Sequence, residues 1–310
     1  MTSLATQTGF ALLATTVCVI VPFFNPGIDA LAECVASIQL QSYADWELIL
    51  LDDGSTDGSL TWANSIRDSR IKVISDGKNL GLIARLNQMT SLSTAPFIAR
   101  MDADDAAMPN RLALQMEALQ GGHDLCATAV VSCDSSMRPV AWRRSSHLSS
   151  SDEREWLMGR KGIVHASIIA RREWFARNPY EPSAHRIEDL VLFAGARYNK
   201  DFKLVSIDQP LYLYREEGNV VPAKLKAAYL SQLKWGLTWN VPFRPRVEII
   251  ARAAFKWAVV KFLWNFGLKG KLIRRRGQAI GPHRESILTA LEDIQKKAEE
   301  LKSAPTLDNG

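Results

Sequence analysis

Over roughly its first two hundred residues the chain switches repeatedly between short apolar runs and segments whose apolar residues recur at helical spacing. That alternation leaves few folds open. Val17–Phe24, Trp46–Leu51, Ile71–Ile74 and Pro96–Met101 read as strands, the first closed by the turn Pro22-Phe23-Phe24-Asn25-Pro26-Gly27. Between them lie amphipathic segments with Leu31, Val35 and Ile38 inward, then Leu60, Ala63 and Ile66, then Leu82, Leu86 and Met89. Asp29 is placed to cap the first of these helices. Pro109 suits the first turn of another, with Leu112, Met116 and Leu119 on one face. Leu125–Val131 and Ile163–Ala170 extend the strand series across a polar stretch rich in Ser and Arg. Strand–helix units with short links predict an α/β fold with a mostly parallel sheet flanked by helices.

Acids gather where these strands end. Asp52-Asp53 closes the second strand, Asp102-Ala103-Asp104-Asp105 follows the fourth, and Glu188-Asp189 opens a later helix. Parallel strands bring their carboxyl ends to one edge, where open α/β sheets bind ligands, so the first two clusters are expected in one crevice. Bunched carboxylates repel unless a cation or donor neutralises them. An Asp-x-Asp at a strand end supplies hard oxygen ligands for Mg²⁺ or Mn²⁺, with substrate phosphates completing the shell.

In their order these pieces resemble the family-2 inverting glycosyltransferases of GT-A fold, bacterial surface-polysaccharide type. The matching stretches are Val19–Asn25, Glu47–Gly58, Asn79-Leu80-Gly81 with Arg85 and Asn87, Met101–Asp105 followed by Met108–Arg111, then Gly162–Ser167, Glu188-Asp189 and Leu213-Tyr214-Arg215. The resemblance implies a Rossmann-like GT-A domain over residues 1–222. It implies a nucleotide pocket lined by Pro22, Phe24 and Asn25, with Phe24 stacking on the base. Asp53 would accept a base N–H, Asn79 and Gly81 would shape the loop over the nucleotide, and Arg85 would offset phosphate charge. Asp102 would lie near the ribose and metal, and Asp104 would ligate the Mn²⁺ or Mg²⁺ that bridges the diphosphate. Asp189 would be the general base, supported by Glu188. The donor implied is a nucleotide-sugar, a UDP-sugar first. The acceptor implied is a saccharide, carried on a lipid, extended by a single sugar in polysaccharide biosynthesis. Transfer directly to polyprenyl phosphate is the neighbouring alternative, and a non-catalytic nucleotide-sugar-binding scaffold is the alternative of another class.

Phe24 stands where the family often has Tyr, which keeps stacking but removes a phenolic hydrogen bond. The Gln-x-x-Arg-Trp motif of processive synthases is absent. His165, Tyr180 and Arg215 are candidate acceptor-side residues, each with a structural role as its alternative, and Arg215 also has the diphosphate within its expected reach. Trp142, Arg143 and Arg144, in the polar stretch, are weaker candidates for an acceptor loop.

Residues 223–310 differ in kind. Between Ala223 and Arg284 fourteen Lys or Arg face the single acid Glu248, so the chain's net +5 hides a net acidic first part. Trp235, Trp239, Phe243, Phe255, Trp257, Phe262, Trp264 and Phe266 are interleaved with those cations. Basic helices carrying interfacial aromatics suit a membrane surface, and Lys269, Lys271 and Arg274-Arg275-Arg276 would meet anionic headgroups. A helical subdomain packed on the body is the alternative. No nucleic-acid motif accompanies the charge, so no nucleic-acid partner is expected. Gly9–Phe24 lacks the positive flank of a signal peptide, and no other uncharged run is long enough to span a bilayer. With four scattered cysteines expected to be reduced and buried, these features predict a cytoplasmic protein, peripheral at the inner face of the membrane.

Overall fold

A computed structural model describes residues 15–145, 163–216, 222–238, 243–265 and 278–304. The expected alternation is present: β1 (Val17–Phe23), α1 (Ile28–Gln39), β2 (Trp46–Asp52), α2 (Ser59–Ser65), β3 (Ile71–Ile74), α3 (Leu82–Leu92) and β4 (Phe97–Arg100). β5 (Ala106–Ala107), α4 (Arg111–Leu119), β6 (Leu125–Cys133) and β7 (Pro139–Arg143) come next. After a 3₁₀ turn at His165–Ser167 follow β8 (Ile169–Arg171), α5 (Arg172–Arg177), α6 (Glu188–Tyr198) and β9 (Leu204–Arg215). The basic region forms α7 (Pro222–Thr238) and α8 (Phe243–Asn265), and a last helix, α9, runs over Arg284–Ser303.

The strands join in one sheet of order β3-β2-β1-β4-β8-β6-β9-β5, with β7 on β6. β1 pairs in parallel with β2 and β4, β2 with β3, and β6 with β9. The short β5, β7 and β8 pair antiparallel. Both faces of the sheet are covered, which is why the central strands are almost continuously apolar. Along β1, Val17, Val19, Val21 and Phe23 join a core with α1, α4 and α9, whereas Cys18 and Ile20 join the opposite core with α3, α5 and α6. Pro22 is tolerated within this central strand because β4 no longer pairs with β1 there, so a missing N–H breaks no bond to it.

Several local readings are corrected. Residues 163–170 are not one strand: the chain turns at His165–Ser167 before the three-residue β8. The polar stretch after β6 begins with β7. Gly27 precedes α1 with φ +81°, and Asp29 lies inside the first turn, where it accepts from Lys302 Nζ at 2.7 Å instead of capping. In α2 the buried large residue is Trp62, with Leu60 and Ile66 only partly covered, and in α3 Ile83 takes the inward place expected of Leu82. α4 begins two residues after Pro109. All four cysteines are buried and unpaired.

α9 packs Ile287, Ala290, Leu291, Ile294 and Ala298 into the core that contains α1. Leu230 and Leu237 of α7 and Val247, Phe255 and Phe262 of α8 are exposed. No helix among the described residues is long and apolar enough to cross a membrane. Trp239, Phe266, Lys269, Lys271 and Arg274-Arg275-Arg276 lie outside the described residues, as does Gly162.

Candidate active site

Because β1, β2 and β4 run the same way, the chain leaves all three at one edge of the sheet. There a crevice of about 590 Å³ is lined by Arg100, Asp102, Asp104, His165, Glu188 and Asp189, together with Arg143, Tyr214 and Glu216. Five carboxylates from three distant segments, Asp102 and Asp104, Glu188 and Asp189, and Glu216, therefore share one space.

The three acids of Asp102–Asp105 have different surroundings. Asp105 is buried; its carboxylate accepts the Tyr212 hydroxyl at 2.7 Å and the backbone N–H of Arg215 at 2.7 Å. It ties the acidic turn to β9 instead of facing the crevice. Asp102 is gripped by Arg100, whose two terminal nitrogens lie 3.0 and 2.6 Å from its oxygens, and its backbone N–H donates to Tyr212 Oη at 3.1 Å. Asp104 is half-buried, and among the described residues its carboxylate is reached by its own backbone N–H and by no side-chain donor. Burial, then the negative charge of Asp102, raises its pKa above the usual aspartate range. A carboxylate so placed is one a cation would stabilise. Among the described residues no three His, Cys, Asp or Glu side chains converge as a closed metal cage. Mg²⁺ takes one or two carboxylates plus phosphates, so the Asp102–Asp104 pair fits such an ion as an open set of donors that a diphosphate completes.

Glu188 and Asp189 occupy the first turn of α6, where the helix dipole favours carboxylates. Both are half-buried, and Asp189 Oδ1 accepts the N–H of Leu190 at 2.7 Å. Burial lifts both pKa values above their ordinary range, with the neighbouring Asp189 adding to the effect at Glu188.

A second group of expected residues lies at the ends of β1 and β2. Asp53 is buried and accepts the N–H groups of Leu80 (2.8 Å) and Gly81 (3.0 Å), so one carboxylate shapes the Asn79–Gly81 loop. Gly54, at φ +80°, lies against that loop: a Cβ there would meet the Lys78 carbonyl carbon and Asn79 N, both at 3.1 Å. Asn25 Oδ1 accepts the N–H of Thr56 at 2.7 Å, linking the β1 and β2 turns, and its φ of +49° is a conformation Asn tolerates better than most. Asn79 is exposed, and Phe24, just past β1, is 51% exposed with its ring open to solvent.

Arg85, expected near phosphate charge, is engaged by protein partners. Its Nε donates to Asp53 at 2.8 Å, and its terminal nitrogens bond Asp76, Gln88 and the Lys78 carbonyl, so all five N–H groups are used while the side chain is 2% exposed. It acts as the clamp on Asp53. Arg215, a candidate for the acceptor side or the diphosphate, is likewise engaged by protein partners. It bonds the carbonyls of Asp104 and Ser135 and pairs with Glu33 of α1 at 2.6 Å, outside the crevice lining. Tyr180 is a core residue held by Asn87 through its backbone N–H (2.8 Å) and carbonyl (2.9 Å). Its hydroxyl shares a 2.5 Å hydrogen bond with His165 Nε2. Burial, then the charge of Arg100, holds His165 well below its ordinary pKa, so the imidazole lining the crevice is neutral.

Arg100 is the functional residue that sequence reasoning missed. A lone Arg ending the otherwise apolar β4, two residues before Asp102, was the signal available. It is buried at the crevice wall, and its Nε has no partner among the described residues. Arg111 beneath it is fully buried, donates to the Arg100 carbonyl at 3.0 Å, and is depressed to about 10 by burial. Arg143 lines the crevice, while Trp142 is buried and exchanges backbone bonds with Gln278.

A family model described as glycosyl transferase family 2 matches residues 18–178. The putative glycosyltransferase EpsE of Bacillus subtilis (strain 168) is 46% identical over 197 residues, which cover 61% of this chain and 69% of EpsE. The succinoglycan biosynthesis protein ExoU of Rhizobium meliloti (strain 1021) is 29% identical over 209 residues, 61% of this chain and 60% of ExoU. Among solved structures, TarS 1–349 of S. aureus in complex with UDP superposes with a TM-score of 0.58 at 15% identity, covering 94% of this chain and 92% of that one. At that identity the likeness is one of fold.

Proposed function

The chain belongs to glycosyl transferase family 2, and we propose that it is a metal-dependent, inverting enzyme that moves one sugar from a nucleotide-sugar onto a lipid-linked saccharide in polysaccharide or glycan biosynthesis. The observation that carries this reading is the crevice itself, in which Asp102, Asp104, Glu188 and Asp189 face one volume of about 590 Å³ beside Arg100. A UDP-sugar is the first donor to test.

Asp189 is assigned as the base. Burial raises its proton affinity, which suits it to general base catalysis better than an exposed aspartate. As the acceptor hydroxyl oxygen attacks the anomeric carbon, its proton passes to Asp189 Oδ. The bond from that carbon to the diphosphate oxygen breaks on the opposite face, and the nucleoside diphosphate leaves with the electron pair. Glu188, whose charge is disfavoured by burial and by Asp189, sits beside the base. Arg100 contributes a fixed cation to a wall of acids, a preorganised charge of the kind that stabilises a departing anion. Asp104, with Asp102 alongside, would hold a divalent cation, Mn²⁺ or Mg²⁺, which would supply Lewis-acid stabilisation of the leaving diphosphate. Phe24, Pro22, Asn25, Asp53, Asn79 and Gly81 are assigned to the nucleotide, with Arg85 acting through Asp53.

Division near residue 222 into a catalytic part and a basic helical part belongs to the same reading, as does a place at the inner face of the cell membrane. Its support is the cationic composition of residues 223–284 and the exposed Leu237, Phe255 and Phe262. The test is calorimetric titration with UDP, GDP, dTDP and CDP, with Mn²⁺ and with EDTA. Metal-dependent binding of one nucleotide is expected. A folded sample that binds none of them with Mn²⁺ present overturns the assignment.

A further inference from the structure

Beside the crevice lies a second cavity, of about 620 Å³, between the start of α3 and the loop that enters α6. Leu80, Leu82, Ile83, Ala84 and Pro182 make its wall largely aliphatic. It is not a separate pocket, because Leu82, Arg186 and Glu188 line both spaces. At the junction stand the guanidinium of Arg186, which lines both spaces, and the imidazole of His185, which lines the second.

Arg186 differs from the other arginines of the region. Arg85, Arg100 and Arg215 all have carboxylate partners. Neither Arg186 nor His185 has an ion-pair partner among the described residues. Arg186 also adopts φ +64°, a left-handed conformation that is costly for a side chain with a Cβ and that tends to collect at ligand sites. Asp189 lines the crevice alone, Arg186 and Glu188 line both spaces, and Leu80, Ile83, Ala84 and Pro182 line the second alone. A ligand complementary to that arrangement has a reactive hydroxyl, then an anion, then a hydrocarbon chain.

We propose that this second cavity receives the lipid-diphosphate end of the acceptor, with Arg186 and His185 on the diphosphate and the Leu80–Ala84 wall on the hydrocarbon chain. The inference rests on the acceptor class proposed above and names where that acceptor sits. Arg186 and Asp189 are three positions apart, so their Cα atoms lie within about 11 Å of each other. The diphosphate and the hydroxyl that reacts would thus sit in adjoining spaces.

Farnesyl diphosphate is the probe, titrated calorimetrically into the full chain saturated with UDP and Mn²⁺, with inorganic diphosphate as the comparison. Farnesyl diphosphate is expected to bind at least tenfold more tightly than inorganic diphosphate. Arg186→Gly, which relieves the left-handed strain, is expected to keep or raise the melting temperature while weakening the probe at least tenfold. Ala84→Trp, which fills the hollow, is expected to weaken farnesyl diphosphate and leave UDP binding unchanged. Equal affinity for the two diphosphates, or wild-type affinity in both variants, overturns the proposal. If wild-type protein binds no nucleotide, the reading of the crevice fails by itself, and the same titration without UDP decides this inference by the same criteria.

Discussion

Arg215 Nε donates a hydrogen bond to the backbone carbonyl of Asp104 at 2.8 Å, from the side of the acidic turn away from the crevice. The backbone N–H of Arg215 also donates to Asp105, and its guanidinium reaches Glu33 on α1. The turn that presents Asp104 is thus bolted to β9 and α1 through one residue.

Arg215→Lys removes the Nε bond while keeping the charge. It is expected to weaken Mn²⁺-dependent UDP binding about tenfold and to cost about 1–3 kcal/mol of stability. Calorimetry and denaturant melts check this; unchanged nucleotide affinity in a stable variant would show that the bond does not position Asp104.

Asp104→Ala and Asp189→Asn separate binding from chemistry. Asp104→Ala is expected to lose metal-dependent nucleotide binding. Asp189→Asn should retain it and lose about 10²–10⁴-fold in kcat. Equal loss of binding in both variants contradicts the division of roles.

Stability should respond to pH at Asp189 with a defined sign. Its folded pKa is raised by burial, so at pH values between the unfolded value, about 3.9, and the folded one, the native state holds more protons and stability falls as pH rises. Asp189→Asn removes that penalty. Its melting temperature should exceed wild type at pH 8, with the gain shrinking as pH drops through the folded pKa and vanishing near pH 3. His165 acts with the opposite slope in a higher window. Its folded pKa is depressed, so stability is lost as pH falls below about 6.5, and His165→Asn should flatten that limb.

Gly54→Ala forces a Cβ to within 3.1 Å of the Lys78–Asn79 backbone at a positive φ. A cost of about 1–3 kcal/mol is expected. Nucleotide affinity should fall with it, since the same loop is held by Asp53.

The last helix belongs to the cooperative core. Ile294→Ala should cost about 2–4 kcal/mol, because the side chain is fully buried against the core shared with α1. Lys302→Ala, which breaks a bond to the exposed Asp29, should cost less than about 1 kcal/mol. Chemical denaturation of both variants tests the contrast.

Much of the architecture was legible before any coordinates. Val17–Phe23 and Trp46–Asp52 announce themselves as strands buried on both faces, and Asp53, Asp102, Asp104, Glu188 and Asp189 were recognisable as an ordered set. The errors fell on short elements and on long polar side chains. Three-residue β8 and the 3₁₀ turn before it carry too little sequence to show a period, and they took the form that let β8 pair with β4 and β6.

Local pattern is written within a few neighbouring residues, which is why strand ends, helix faces and the acids at the sheet edge follow from the sequence itself. The resemblance singled out Asp102 and Asp104, but what separates the three acids of the turn is not written in the local pattern. Arg100 on Asp102, the open crevice at Asp104, and Tyr212 with Arg215 on Asp105 make them different. A guanidinium on a flexible stem takes whichever carboxylate or carbonyl the fold brings close. Arg85 meets Asp53 across 32 positions, and Arg215 meets Asp104 across 111 and Glu33 across 182. Those meetings exist only after the sheet has closed, so tertiary structure alone decided that both arginines hold the site from behind and that Arg186, at its mouth, has no carboxylate partner among the described residues.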